Sequence, residues 1–180
     1  IIPNRRLATN APSSSASTPT RPILYILLVD DADVNIKILC KMLGSSVVHN
    51  GVHYTLSLTV ASDGVEAMEK VVARFNSSSG PRQFNLIMSD IIMPRADGFV
   101  FARELRQFES NHSLHHVPLI ALTANALKSD VDAYKSASFK WFIPKPFRRA
   151  DLHSNLATIL SSADAIAILD TNQTLAQAQS

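Results

Sequence analysis

The chain has 180 residues, 46% apolar and 18% charged, enough for one buried core but not two, so a single domain with tails is expected. No apolar run approaches the ~18 residues that span a bilayer and nothing resembles a secretory leader, so a cytoplasmic protein without a membrane anchor is expected. The one cysteine, Cys40, excludes an internal disulfide or thiolate cage, and a formal charge of +2 is too near balance to argue for direct nucleic-acid binding.

Residues 8–22 are built mainly from Ser, Thr, Pro, Ala and Asn with no large apolar side chain to offset the entropy of ordering, and residues 1–22 are read as a disordered tail or linker. From Ile23 the run ILYILLV predicts a strand buried on both faces, ending at Asp30 and Asp31. Ile36, Leu39, Cys40 and Leu43 recur at helical spacing and Gly44 supplies a stop. Tyr54, Leu56, Leu58 and Val60 alternate with polar residues, the pattern of a strand with one buried face, expected at a sheet edge. Asp63 and Glu66 form a candidate capping box before Val65, Met68 and Val72.

After a loop at 76–81, residues 84–89 (FNLIMS) read as a third strand and Phe101, Leu105 and Phe108 as a third helix. Residues 117–122 (VPLIAL) give a fourth strand, and Leu127, Val131 and Tyr134 a fourth helix. WFIP at 141–144 is a short fifth strand, followed by a fifth helix through Leu152, Leu156, Ile159 and Leu160. Five strand–helix units within residues 23–161 call for an α/β domain with a doubly wound parallel sheet. Residues 162–180, with a weak apolar stretch AIAIL and a polar end, are too short for a second domain and are read as a C-terminal tail.

In such sheets ligands bind beyond the carboxyl ends of the strands. The first strand ends in Asp30 and Asp31, the third in Asp90, the fourth in Thr123 and the fifth in Lys145. Three carboxylates, a hydroxyl and an ammonium should therefore converge. Carboxylates so placed repel unless a cation lies among them, and oxygen-only donors favour a hard ion, Mg²⁺ before Zn²⁺. Taken singly, Asp31 or Asp33 could cap the first helix, Thr123 could be a turn residue and Lys145 a surface lysine. Their joint placement at strand ends carries the argument.

LLVDD at 27–31, SDIIMPRADG at 89–98, LTA at 122–124 and PKPF at 144–147 resemble the receiver domain of two-component signalling and phosphorelays, over roughly residues 23–161. The resemblance implies a flavodoxin-like (βα)5 fold of strand order 2-1-3-4-5. It also implies that Asp90 is the phosphoacceptor, taking a phosphoryl group from a phosphohistidine on a histidine kinase or phosphotransfer protein. Mg²⁺ would be held by Asp31, Asp90 and the backbone carbonyl of Ile92, with Asp30 assisting through water. Lys145 would pair with a phosphoryl oxygen, Thr123 would donate its hydroxyl to the phosphoryl group, and Phe142 would be the aromatic that turns inward as Thr123 moves. A cis bond between Lys145 and Pro146 is implied as well. Such a domain promotes its own phosphorylation and dephosphorylation.

Some positions depart from the family pattern. Phe142 lacks the hydroxyl of the commoner Tyr. Ser138 stands where Gly often ends the fourth helix, at a cost of about 1 kcal/mol if its φ is positive. Ile92 and Asn125 occupy positions that tune dephosphorylation, and an apolar Ile92 cannot orient a water, so slow autodephosphorylation is expected. His112, His115 and His116 lack the carboxylate or thiol neighbours of a metal site and read as a solvated loop. An alternative is a receiver-like interaction module that is never phosphorylated. A hydrolase with an aspartyl-phosphate intermediate ranks last, because Asp30 and Asp90 are followed two residues on by Ala32 and Ile92 rather than Asp. The polar linker and Asn35 in DDADVN resemble receivers joined to hybrid sensor histidine kinases; a stand-alone regulator is the other arrangement.

Overall fold

The computed structural model describes residues 21–78, 80–93, 95–124 and 134–178. In chain order the elements are β1 (Ile23–Val29), α1 (Asp33–Leu43), β2 (Ser46–His49), β3 (Val52–Ala61), α2 (Gly64–Phe75), β4 (Leu86–Asp90), α3 (Gly98–Asn111), β5 (Leu119–Thr123), β6 (Trp141–Pro144), α4 (Arg149–Leu160) and α5 (Ala163–Ala178). They build a six-stranded sheet of order β2-β3-β1-β4-β5-β6. Every neighbouring pair is parallel except β2 and β3.

Consecutive residues of a strand point to opposite faces, and β1 divides the core accordingly. Leu24, Ile26 and Leu28 join Leu39 and Leu43 of α1 and Leu152, Leu156 and Ile159 of α4 on one face. Leu27 and Val29 join Ala67 and Val71 of α2 and Phe101 and Leu105 of α3 on the other. Burying each large side chain on either face contributes about 1.5–3 kcal/mol, which is why β1 is apolar without alternation.

The parallel strands follow the expected order, with β3 as the second predicted strand. Its expected edge position is corrected: β2 pairs antiparallel outside it, Val47 opposite Tyr54 and Val48 opposite His53. The turn between them is Asn50-Gly51, with φ of 48° and 76°. Positive φ at both central residues matches the right-handed twist of a two-residue hairpin, and Asn-Gly tolerates it. The four residues of β2 are too few for a periodicity to register, but Asn-Gly between Val47, Val48 and Val52 is a readable signal.

Helix ends follow local chemistry. Gly44, at φ 72°, closes α1 with its N–H on the Cys40 carbonyl at 3.0 Å. Asp63 caps α2, its Oδ1 accepting the Glu66 N–H at 2.9 Å. Glu66 reaches back to the N–H of Ser62 at 2.8 Å, one residue before the cap. The N-cap of α1 is Ala32, without a side-chain capping bond, so neither Asp31 nor Asp33 serves as one. Leu127, Val131 and Asn125 lie outside the described residues; Tyr134 falls in helical residues 134–136.

The stretch 162–180, expected as a tail, contains α5, and this expectation is revised. Ala165 and Ile168 are fully buried and Leu169 nearly so. Ile168 packs into one core layer and Leu169 into the other, so the helix straddles the sheet. Lys140, just before β6, pairs with Asp164, and the Asn172 amide reaches the Gln83 carbonyl ahead of β4. The helix therefore covers the end where β4 and β6 begin, opposite the acidic strand ends. No single helix among the described residues is long and apolar enough to cross a membrane; α4 and α5 together would be by length and composition only, but they meet at 75°.

Candidate functional site

The parallel sheet brings the carboxyl ends of β1, β4, β5 and β6 to one edge, and with them the side chains that the strand-end argument selected. Asp90 closes β4 at 9% exposure. Its Oδ1 accepts the Ile91 N–H at 2.7 Å, and its Oδ2 accepts from the Lys145 ammonium at 2.6 Å. The same ammonium lies 2.8 Å from Oδ2 of Asp30. Asp30 is buried, and its Oδ1 also takes the Ala32 N–H at 3.0 Å and the Asn35 amide at 2.9 Å. Asp31 is exposed at the rim.

Carboxylate oxygens of Asp30, Asp31 and Asp90 lie within 4.8 Å of one another. One ammonium against three carboxylates leaves an excess of negative charge at the strand ends. Burial alone would lower the Lys145 pKa, but its hydrogen bonds to Asp30 and Asp90 and their charge outweigh burial and hold it above the ordinary lysine value. The lysine therefore stays cationic. Side-chain donors at the site are carboxylate oxygens, so the residues fit a hard divalent cation.

Two close backbone contacts hold Asp90 in place. The Gly98 N–H donates to the Ile91 carbonyl at 2.9 Å, and a Cβ on Gly98 would stand 2.5 Å from the Asp90 carbonyl oxygen. Only glycine allows the start of α3 to sit so close to β4. On the other side the Ser89 hydroxyl donates to the Asp90 carbonyl at 2.8 Å.

Thr123 ends β5 at 4% exposure, with Oγ1 3.1 Å from the hydroxyl of Tyr134. Ala124, next along, is exposed and small. Phe142 is half-buried, its ring centroid 5.5 Å from that of Tyr134. Ile92 follows Asp90 by two, with its side chain 81% exposed. The Lys145-Pro146 bond is cis, and Ser138 has φ 70°. His112 bonds the Phe108 carbonyl through Nδ1 and packs on the Phe75 and Phe108 rings, a helix-end arrangement rather than a metal site.

The structure thus gathers Asp30, Asp31, Asp90 and Lys145, sets Ile92 beside them by backbone, and ties Thr123 to an aromatic hydroxyl. Sequence reading missed two members. Asn35 stands out in the sequence only by its place in a motif, although an amide five residues after a strand-end Asp, in the first turn of the following helix, is in reach of that carboxylate. Tyr134 fits the pattern of an apolar helix residue, and nothing local distinguishes it.

Residues 26–157 match the family model described as the response regulator receiver domain. Hybrid signal transduction histidine kinase L of Dictyostelium discoideum is 37% identical over 134 residues, 74% of this chain and 7% of that protein. Transcription factor SKN7 of Candida albicans is 27% identical over 87% of this chain and 24% of that protein. The chain thus spans a small part of these curated relatives. Among solved structures, the receiver domain of sensor histidine kinase PA1611 from Pseudomonas aeruginosa PAO1, described with a magnesium ion coordinated in the active site cleft, is similar at TM-score 0.58 and 32% identity, covering 77% of this chain and 98% of that one. The chemotaxis response regulator CheY4 of Vibrio cholerae, at 24% identity and TM-score 0.60 over 77% of this chain and 99% of that one, shares the fold.

Proposed function

This chain belongs to the response regulator receiver domain family of two-component signalling, and from that premise we propose that Asp90 accepts a phosphoryl group from a phosphohistidine in a magnesium-dependent reaction. The observation that carries this reading is the placement of Asp90 2.6 Å from the Lys145 ammonium and within 4.8 Å of carboxylate oxygens of Asp30 and Asp31. The donor is a histidine kinase or a histidine phosphotransfer protein.

A carboxylate attacks a phosphoryl group only when the mutual repulsion of the two anions is offset. Asp31, Asp90 and the backbone carbonyl of Ile92 would hold Mg²⁺ with Asp30 assisting, and when bound the ion supplies positive charge to the phosphoryl oxygens. Lys145 supplies a second positive charge and orients the phosphoryl group through one of its oxygens. Asn35 and the Ala32 N–H keep Asp30 aimed at that lysine. A carboxylate oxygen of Asp90 forms the O–P bond while the N–P bond of the phosphohistidine breaks. The electron pair of that bond stays on the imidazole nitrogen, which takes a proton from solvent. The product is an acyl phosphate on Asp90.

Incubation with Mg²⁺ and a small phosphodonor tests this reading. Acid-stable, base-labile phosphate on the wild-type chain that is absent from Asp90→Asn supports it. Equal labelling of the two, or no labelling of either, would remove it and favour an interaction module that is never phosphorylated.

A further inference from the structure

The Thr123 hydroxyl has two uses in this fold. In the structure it is hydrogen-bonded, at 3.1 Å, to the hydroxyl of Tyr134. In the phosphorylated protein proposed above it would donate to a phosphoryl oxygen. A hydroxyl carries one hydrogen, and a bond to an ionised acceptor is roughly twice as strong as one between neutral groups, so the phosphoryl group wins that hydrogen. Either hydroxyl can donate in the present contact, so once the phosphoryl group takes the Thr123 hydrogen the contact persists only with Tyr134 as donor, and Tyr134 must follow Thr123 as that side chain turns toward Asp90.

Tyr134 is built to register that change. It is 6% exposed, and its ring packs against Phe99, at 5.7 Å and 24°, and Phe142, at 5.5 Å and 34°. A tyrosine so enclosed has apolar faces and one polar tip, and the tip points to Thr123. Phe142, the aromatic expected to respond, has no hydroxyl. It rests instead on the ring that has one. The Tyr134 backbone carbonyl accepts the N–H groups of Ala137 at 3.1 Å and Phe139 at 3.0 Å, so displacement of Tyr134 loosens the turn that leads into β6, where Phe142 and then Lys145 follow.

We infer that Tyr134 is a positioning residue which, through its hydroxyl contact with Thr123 and its ring contact with Phe142, couples the phosphorylation state of Asp90 to the helical segment at 134–136 and the turn into β6. The hydroxyl and the ring that sense the site thus come from different elements. This inference rests on the phosphoacceptor reading.

The test uses the full chain and beryllium trifluoride with Mg²⁺ as a stable phosphoryl mimic. Binding is followed by fluorine resonance, and the response by amide hydrogen exchange at Ala137 and Phe139. In the wild type, exchange at both amides should change by about fivefold or more when the mimic binds, the effect of one net hydrogen bond. Tyr134→Phe keeps the ring and removes the hydroxyl; it should bind the mimic yet lose the response, with exchange at both amides already shifted before binding. Thr123→Ser should keep the response and Thr123→Val should lose it, which a purely structural role for Tyr134 does not predict. A full response in Tyr134→Phe with the mimic bound would overturn the inference and leave the phosphoacceptor reading intact. Failure of the wild type to bind the mimic would overturn both.

Discussion

The Lys145 ammonium and the Asp90 carboxylate lie 2.6 Å apart although 55 residues separate them in the chain. They meet because β4 and β6 flank β5 in a parallel sheet, so strands that start together end together. Lys145 is shared with Asp30, and that division of one cation between two anions governs the charge at the site.

Asp31 lies outside this ammonium's reach and adds negative charge at the rim. Asp31→Asn should raise stability in the absence of divalent ions by about 0.5 kcal/mol, the scale of an exposed like-charge contact. It should also remove most of the stabilisation that the wild type gains from Mg²⁺. Melting curves with magnesium and with a chelator check both effects. A variant that gains as much from magnesium as the wild type takes Asp31 out of the ligand set.

Gly98→Ala should misplace Asp90. The new methyl would stand 2.5 Å from the Asp90 carbonyl oxygen and 3.0 Å from the Ile91 Cα, both backbone atoms that cannot swing aside. A loss of about 1–3 kcal/mol is expected on denaturation, the cost of overpacking. Phosphate uptake should slow in the folded protein as well, and unchanged uptake would show that β4 tolerates the shift.

Ser138→Gly tests a different backbone constraint. Ser138 holds φ 70° without the freedom of glycine, so the replacement should stabilise the fold by about 1 kcal/mol in urea denaturation. Its distance from the acidic cluster in the fold means that the rate of phosphate uptake should not change.

Ile168 decides whether residues 162–180 belong to the folding unit. It is fully buried, so Ile168→Ala should cost about 2–4 kcal/mol, the range for truncating a core aliphatic side chain. Removal of residues 162–180 should destabilise further. Unchanged stability in both would restore the reading of this stretch as a tail.

Ile92 should set the lifetime of the acyl phosphate. Its side chain is 81% exposed and apolar, so it neither packs in the core nor orients a water toward the phosphorus. Slow dephosphorylation is expected, and Ile92→Asn should speed it about tenfold, a modest share of what a positioned polar group contributes. Stability should stay within about 0.5 kcal/mol, as for surface substitutions generally. Decay of label on the isolated protein measures the rate; loss of label within seconds in the wild type would contradict the expectation.

The alternation of strands and helices was legible from residues alone, because periodicity and burial act over a few neighbouring positions. The chemistry at the strand ends was legible for the same reason: Asp30, Asp31, Asp90, Thr123 and Lys145 each follow an apolar run that marks where a strand stops. The hairpin at Asn50-Gly51 was equally local and went unread because β2 is short. Tertiary structure alone decided three things. It brought Lys145 to Asp30 across 115 residues, turned Tyr134 toward Thr123, and seated α5 across the starts of β4 and β6. The first and third depend on the order and register of strands assembled from distant segments, so no window of neighbouring residues contains them; Tyr134 is only eleven residues from Thr123, but its direction is set by packing against Phe99 and Phe142.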